Sequence, residues 1–358
     1  LNCIMTPYYS MNRTIPNVLH VAKWYPNPKD IQNGIFVKKQ IDAIPVNHFT
    51  LAYVNEHFPP IEEEHLKILG AKKMGWAVKL ASFIAALSSG KFNIVHFHCF
   101  TPDLLPMAIY AKKKGLKVAY TEHWSGYLPQ NLGKLSPLKN WATRQFLKRV
   151  HIAFPISPLL QTGLKKLNPS LHTQLVPNIV SNATYSDHYS AGTTAVKFVM
   201  VADVVFDIKR QDLVLSIFQK LPRMRAELHI IGGGPDLERL KSMSSRLPNI
   251  YVHGRKSNEE VLQMLPEFNA HILYSAYESF GITTFEARKA GLWALTRPEF
   301  GGSHWADEQC LMINNDDELF ETLTKLLHGK RPAPNSFKEL SAPWIGGEIN
   351  SYYNELLS

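Results

Sequence analysis

Residues 270–291 read AHILYSAYESFGITTFEARKAG, and the order of residue types in them decides the fold class. AHILYSAY is a short apolar run suited to a buried strand. Ser279-Phe-Gly is a turn, and the residues after it carry helix-forming side chains up to Ala290-Gly291, where a glycine ends the helix. Strand, tight turn and helix in immediate succession form half of a βαβ unit. The same alternation extends outward in both directions. KFVMVAD, ELHIIGGG and NIYVHG precede this stretch and WALTR and CLMINN follow it, with helical segments between them. In the first half, NVLHVAKWY, HFTLAYV, NIVHFHCF, KVAYTEHW, HIAFPIS and TQLVPNIV alternate with helices expected at 34–44, 71–89, 103–114, 137–149 and 158–166. Two such series predict two doubly wound parallel sheets, whose carboxyl ends can face one cleft. The polar stretch SNATYSDHYSAGTT after Val180 reads as the linker. The expected division is therefore 1–185 and 186–340, with 341–358 a C-terminal segment. Its helix, INSYYNELLS, is expected to pack back on the first domain.

At 358 residues the chain is long enough for two cores. With 45% hydrophobic and 19% charged residues it is neither disordered nor membrane-spanning. Cys3, Cys99 and Cys310 are odd in number and form no C-x-x-C pair, which fits a reducing cytoplasm. The start lacks the apolar core of a signal peptide, so Asn12-Arg-Thr and Asn182-Ala-Thr read as chance sequons. The net charge of +9 favours an anionic partner, and no recognition motif points to nucleic acid.

The chemistry concentrates at turns that follow strands. Glu278 and Glu286 bracket the Ser279-Phe-Gly turn with seven residues between them, so they fall near one face of the helix. The free N–H groups at that helix start suit a diphosphate or sugar hydroxyls. FVMVADVVFDIKRQDLV at 198–214 places Lys209 on a loop after a strand, where an ammonium can meet the growing charge of a departing phosphate. HIIGGGPDLERL at 229–240 is a glycine turn between strand and helix, and WYPNPKDIQNGIFVKKQ at 24–40 carries Asn33-Gly34 before another. His96 and His98 share a strand face that turns Cys99 away, so they read as structural or cleft-lining residues and not as zinc ligands. His123 stands at a strand end beside Trp124 and Tyr127, which are candidates for sugar stacking. HLKILGAKKMGWAVKLASFIAALSSGK at 65–91 reads as a basic amphipathic helix with Lys67, Lys72, Lys73 and Lys79, suited either to solvent or to an anionic membrane surface.

With these motifs in their order, the chain resembles the retaining nucleotide-sugar glycosyltransferases of glycosyltransferase family 4, over nearly its whole length. That resemblance implies the GT-B fold, an α/β architecture of two Rossmann-like domains facing a central cleft. It gives Glu278 a place beside the donor sugar and Glu286 the ribose hydroxyls, with the amides of Phe280, Gly281 and Ile282 meeting sugar or diphosphate. Lys209 and His123 take the leaving phosphate and the reacting sugar. The family usually has an arginine six residues before the lysine. Here that position is Asp203, and Arg210 is the candidate replacement. Gly-Gly is frequent in the family where this chain has Asn33-Gly34, and asparagine tolerates left-handed backbone, so the donor-phosphate loop is expected to keep its shape. Arg255 and Lys256 lie where the family grips the nucleobase.

The expected activity is retaining transfer from a nucleotide-diphosphate sugar to a hydroxyl on a glycan or lipid-linked acceptor, in cell-envelope glycan or polysaccharide synthesis. No cofactor or metal is expected, since no D-x-D motif appears. The expected place is the cytoplasm, or the inner face of the membrane as a peripheral protein. Rival readings are a nucleotide-sugar epimerase or phosphorylase of the same plan, disfavoured by the register of the glutamate pair, and a non-catalytic two-lobed binding protein.

Overall fold

The computed structural model describes residues 15–183 and 195–358. Cys3, the sequon at Asn12 and the expected domain boundary at 185, with most of the linker, lie outside the described residues. The first sheet contains β1 (Asn17–Ala22), β2 (Asn47–Val54), β3 (Ile61–Glu63), β4 (Leu66–Gly70), β5 (Ile94–His98), β6 (Lys117–Glu122) and β7 (Ile152–Pro155), in the spatial order β3-β4-β2-β1-β5-β6-β7. The second contains β8 (Val196–Val201), β9 (Ala226–Ile231), β10 (Ile250–Gly254), β11 (Ala270–Leu273), β12 (Trp293–Thr296) and β13 (Cys310–Met312), in the order β10-β9-β8-β11-β12-β13. Every pairing is parallel except that of β3 with β4. Helices cover both faces of a parallel sheet, which is why the central strands β1 and β5 are buried almost without interruption. In each sheet the order reverses beside the first strand, between β1 and β5 and between β8 and β11. Ligands bind outside the carboxyl ends of the strands at such points.

Local signals account for several helix starts. Ser136 and Ser157 each precede a proline at the first helical position, and their hydroxyls accept from Lys139 N–H and Leu160 N–H, both at 3.3 Å. The C-terminal helix begins at Ala342, ahead of the expected INSYYNELLS, and runs to Leu357. It buries Ile345, Ile349 and Tyr353 against Val18, Ile94 and Phe154 of the first domain. The Tyr353 hydroxyl meets His96 Nδ1 at 2.5 Å.

Two expectations need correction. Residues 65–91 do not form one helix: Leu66–Gly70 pairs as β4 with β2, and the helix runs only over Trp76–Ser88. Leu66 and Ile68 alternate with Lys67, the period of a strand, and Gly75 then opens the helix. Lys67 therefore faces Glu62 across the β3–β4 hairpin, while Lys72 and Lys73 are exposed on the turn before the helix. Only Lys79 is helical, and it is buried in an ion pair with Asp103. A four-lysine amphipathic helix is thus not formed. TQLVPNIV is extended but is not a ladder strand: its one bridge joins Thr173 to Ala153, and Pro177 lacks the N–H that a longer ladder needs.

Candidate active site

A cavity of about 230 Å³ lies between the two sheets. Phe36, His123 and Asn178 line it from the first domain; Val201, Ala202, Lys209, Leu273 and residues 278–283 line it from the second. The structure thus brings together His123, Lys209, Glu278, Phe280, Gly281 and Ile282. The two lobes also share an apolar contact, since Leu273, Phe280, Phe285 and Phe300 belong to the same buried cluster as Leu19, Val21 and Val95.

The turn at 278–281 is held tightly. Glu278 bridges to Phe300, and Gly301 N–H donates to the Glu278 carbonyl at 3.0 Å. Gly281 has φ +81° and caps the helix Ile282–Lys289. A Cβ there would lie 2.7 Å from the Phe300 ring, so both the backbone angle and the space require glycine. The Glu278 carboxylate accepts from Ser279 N–H at 3.2 Å and forms an ion pair with Lys209 Nζ. Both side chains are less than one-fifth exposed, so the pair is stronger than a surface bridge.

His123 faces the pair from the other lobe. Its Nδ1 meets Asn178 Oδ1 at 2.9 Å; an amide oxygen only accepts, so Nδ1 carries the proton and Nε2 presents a lone pair. Nε2 is buried with no protein partner. Burial lowers the imidazole to a pKa of about 3, with the Asn178 hydrogen bond opposing the shift. The ring is therefore neutral and suited to accept from a hydroxyl, not to supply positive charge.

Glu286 lies deeper, 1% exposed, and outside the cavity wall around Glu278. It accepts from Asn258 Nδ2 at 3.1 Å. Lys39, from the first domain, reaches Asn258 Oδ1 at 3.2 Å and Ser181 Oγ at 2.5 Å. Burial raises the Glu286 carboxyl, while Asn258, Lys39, Lys289 and Ser181 pull it back. Lys289, from the same helix, donates to the Val180 carbonyl at 2.9 Å, tying the helix to the chain that leaves the first domain. Arg288 anchors the helix end through Asp307 at 2.9 Å.

The remaining expected residues stand apart. Arg210 is in the left-handed region, φ 55°, with its guanidinium 6.0 Å from the Tyr274 ring and outside the cavity wall. The residue that reaches Asp203 is Arg255, at 3.1 Å and largely exposed. Lys256 pairs with Glu260 at 3.0 Å on the solvent side. Gly34 alone takes the left-handed backbone of its loop, φ 65°; Asn33 does not, contrary to the expectation for it. Neither lines the cavity, which Phe36 reaches instead. Tyr127 is fully buried, and the Trp124 ring is covered by Lys139 at 3.4 Å, so neither offers an open stacking face. Among the described residues, the group compact enough for a metal is His20, His96 and His98, all buried. Both His96 nitrogens are engaged, by Tyr353 and Thr121, and His20 Nδ1 meets His98 Nε2 at 3.0 Å, while His20 Nε2 and His98 Nδ1 are buried without a protein partner.

Sequence reasoning missed Asn178, Lys39, Ser181 and Asn258. Asn178 follows Pro177 in a segment read as a strand, and a proline-asparagine pair is a turn signal. Lys39 carries no local signal, because its partner Asn258 is 219 residues away.

Two family models and several solved structures are similar to this chain. The family model described as Glycosyltransferase Family 4 matches residues 50–182, and that described as Glycosyl transferases group 1 matches 185–341. The chain belongs to the family-4 type of GT-B glycosyltransferases. Compared by sequence with curated proteins, it matches none. Among solved structures it is similar to the sucrose-phosphate synthase of Thermosynechococcus elongatus, with TM-score 0.70 and 12% identity, over 96% of this chain and 94% of that one. It is also similar to the lipopolysaccharide outer core galactosyltransferase WaaB in its apo form, with TM-score 0.67 and 16% identity, over 95% and 96%. HepE of Anabaena in complex with UDP and glucose gives TM-score 0.65 and 12% identity, over 96% and 97%. At such identities the likeness is one of fold.

Proposed function

We propose that the protein transfers a sugar from a nucleoside-diphosphate sugar to an acceptor hydroxyl with retention of anomeric configuration and without a metal ion. The observation that carries this reading is the Lys209–Glu278 pair facing the unpartnered Nε2 of His123 across one cavity. The donor diphosphate lies against Lys209 and the amides of Phe280, Gly281 and Ile282 at the helix start. Glu278 accepts from sugar hydroxyls, and His123 Nε2 accepts from another. The bond from the anomeric carbon to the phosphate oxygen breaks, and its electron pair goes to the phosphate, where Lys209 meets the added charge. The acceptor oxygen attacks from the face the phosphate leaves, and its proton passes to a phosphate oxygen. Glu286 takes the ribose hydroxyls once Lys39 and Asn258 give way. Arg255, and not Arg210, supplies the cation beside Asp203, while Lys256 and the Asn33-Gly34 loop belong to the rim of the donor site.

The acceptor in this proposal is a glycan or lipid-linked sugar of the cell envelope, modified on the cytoplasmic side. No described helix is long and apolar enough to cross a membrane. Support for peripheral contact with an anionic membrane is the exposed Trp76 and Val78 beside Lys72 and Lys73. The test is incubation with UDP-, GDP- and ADP-sugars, following nucleoside diphosphate release and the anomeric configuration of the product by proton NMR. One donor class consumed with retention is expected. Inversion would remove the front-face mechanism, and no release from any donor would remove the reading.

A further inference from the structure

Lys23 and Lys79 converge on one carboxylate oxygen, Asp103 Oδ2, Lys23 at 3.5 Å and Lys79 in direct contact. The lysine side chains are 14% and 7% exposed and the aspartate 25%. Among the described residues no second carboxylate pairs with either lysine, so two largely buried ammonium groups face one anion. Burial lowers the Lys23 ammonium, with Asp103 pulling it back up. Burial alone would raise the Asp103 carboxyl, but the hydrogen bond from Lys79 and the charges of Lys23 and Lys79 bring it to about 2. A half-buried cluster with one excess positive charge is costly unless an anion completes it.

Its position is informative. Lys23 follows β1 directly and its N–H meets the His98 carbonyl at 3.4 Å, while Asp103 follows β5. The cluster is therefore at the carboxyl edge of the first sheet, on the cleft side. Trp24 packs edge-on to Phe36 at 6.1 Å, and Phe36 packs on His123 at 4.7 Å. The strand of His123 is two places from β1, about 10 Å at ordinary strand spacing. No role in donor binding uses these residues.

We infer that Lys23 and Lys79, held by Asp103, form an anion subsite in the first domain that selects an acceptor bearing an oxyanion, a phosphate or a carboxylate. The inference rests on the transferase reading above. The donor occupies the second domain's side of the cleft, so the hydroxyl that attacks comes from a molecule lying along the first sheet's edge. An anionic group on that molecule neutralises the excess charge and fixes the distance of its hydroxyl from His123.

The test uses inorganic phosphate as probe, titrated by phosphorus NMR in a Lys209→Met background so that the donor phosphate site contributes little. Lys23→Met is expected to weaken binding about tenfold, the loss of one charge-assisted contact. Asp103→Asn is expected to tighten it, because a competing carboxylate is removed while both cations stay. These opposite directions separate a binding role from a structural one. Equal affinity in all three proteins, equal weakening by both substitutions, or no binding without them would overturn the inference. Competition by acetate at the concentration at which phosphate binds assigns the subsite to either oxyanion, and its absence assigns it to phosphate. In wild-type enzyme, a panel of neutral sugars, their 6-phosphates and uronic acids is then expected to accelerate nucleoside diphosphate release only in its anionic members. Release without any acceptor reports the transferase reading separately, so that reading can fail while phosphate binding stands.

Discussion

Replacing Lys209 by methionine removes the one ammonium that the described residues bring to the cavity wall, while keeping most of the side-chain volume. In the resting protein this leaves the Glu278 carboxylate, 17% exposed, with only Ser279 N–H as partner. Leaving a mostly buried charge without its partner costs about 1–3 kcal/mol of stability. The effect on the reaction is larger. A single preorganised donor aimed at developing charge contributes about 2.7–4 kcal/mol to the transition state, a factor of roughly 10² to 10³ in kcat. Lys209 is fixed before the donor arrives, because Glu278 holds it, so little reorganisation is needed when the phosphate leaves. The loss should therefore fall on kcat, with a smaller change in KM, since the diphosphate keeps its backbone contacts at the helix start. Steady-state release of nucleoside diphosphate measures both constants, and circular dichroism verifies the fold. Lys209→Arg should recover part of the loss. A folded Lys209→Met enzyme with wild-type kcat, or one altered in KM alone, would refute the role.

Three further outcomes are expected. Burial holds His123 and His271 at pKa values of about 3 against 6.5 for free imidazole. The unfolded chain therefore takes up protons from pH 6.5 downward while the folded chain does not, and stability is lost as pH falls through that window. Each group costs roughly 2 kcal/mol between pH 7 and pH 5, readable by urea unfolding, and His271→Gln should flatten the slope. Gly281→Ala forces a side chain into a left-handed position against Phe300 and should cost about 1–3 kcal/mol in thermal unfolding together with donor binding. Lys39→Met removes the ammonium that joins Ser181 to Asn258 across the lobes, so small-angle scattering of the nucleotide-free protein should show a wider cleft, with about 1 kcal/mol or less lost in stability. An unchanged scattering profile would mean that the direct Ser181–Asn258 hydrogen bond, the Lys289–Val180 bond and the apolar contact through Phe280 and Phe300 hold the lobes without Lys39.

The sheets were legible because their strands are apolar runs closed by glycines, prolines or helix caps, and such signals are local. NVLHVA and AHILYSAY announce themselves within eight residues. The Glu278 turn was legible for the same reason: strand end, Gly281 and helix start follow in sequence. The β3–β4 hairpin was not, because Glu64-His65 carries none of the residues that mark a tight turn, and Lys67 among apolar neighbours imitates a helix face. The interdomain chemistry was also out of reach. Lys39 meets Asn258 only through the closure of two separate sheets, and Asn258 meets Glu286 only through the folding of the second. Asp203 shows the limit of motif matching: the missing arginine drew attention to its neighbour Arg210, whereas the fold brings Arg255 from the loop after β10, two places from β8 in the sheet.

The proposed donor site is built on the second domain's helix Ile282–Lys289, with Glu286 for the nucleoside. Titration calorimetry of UDP, GDP and ADP against the wild-type protein and Glu286→Ala examines it without knowledge of sugar or acceptor. The wild type should bind one of the three nucleotides, and Glu286→Ala should lose about 1.5–3 kcal/mol of that affinity, the scale of a hydrogen bond to a charged group. Equal affinity in a folded Glu286→Ala protein, or no binding of any of the three to the wild type, would contradict it.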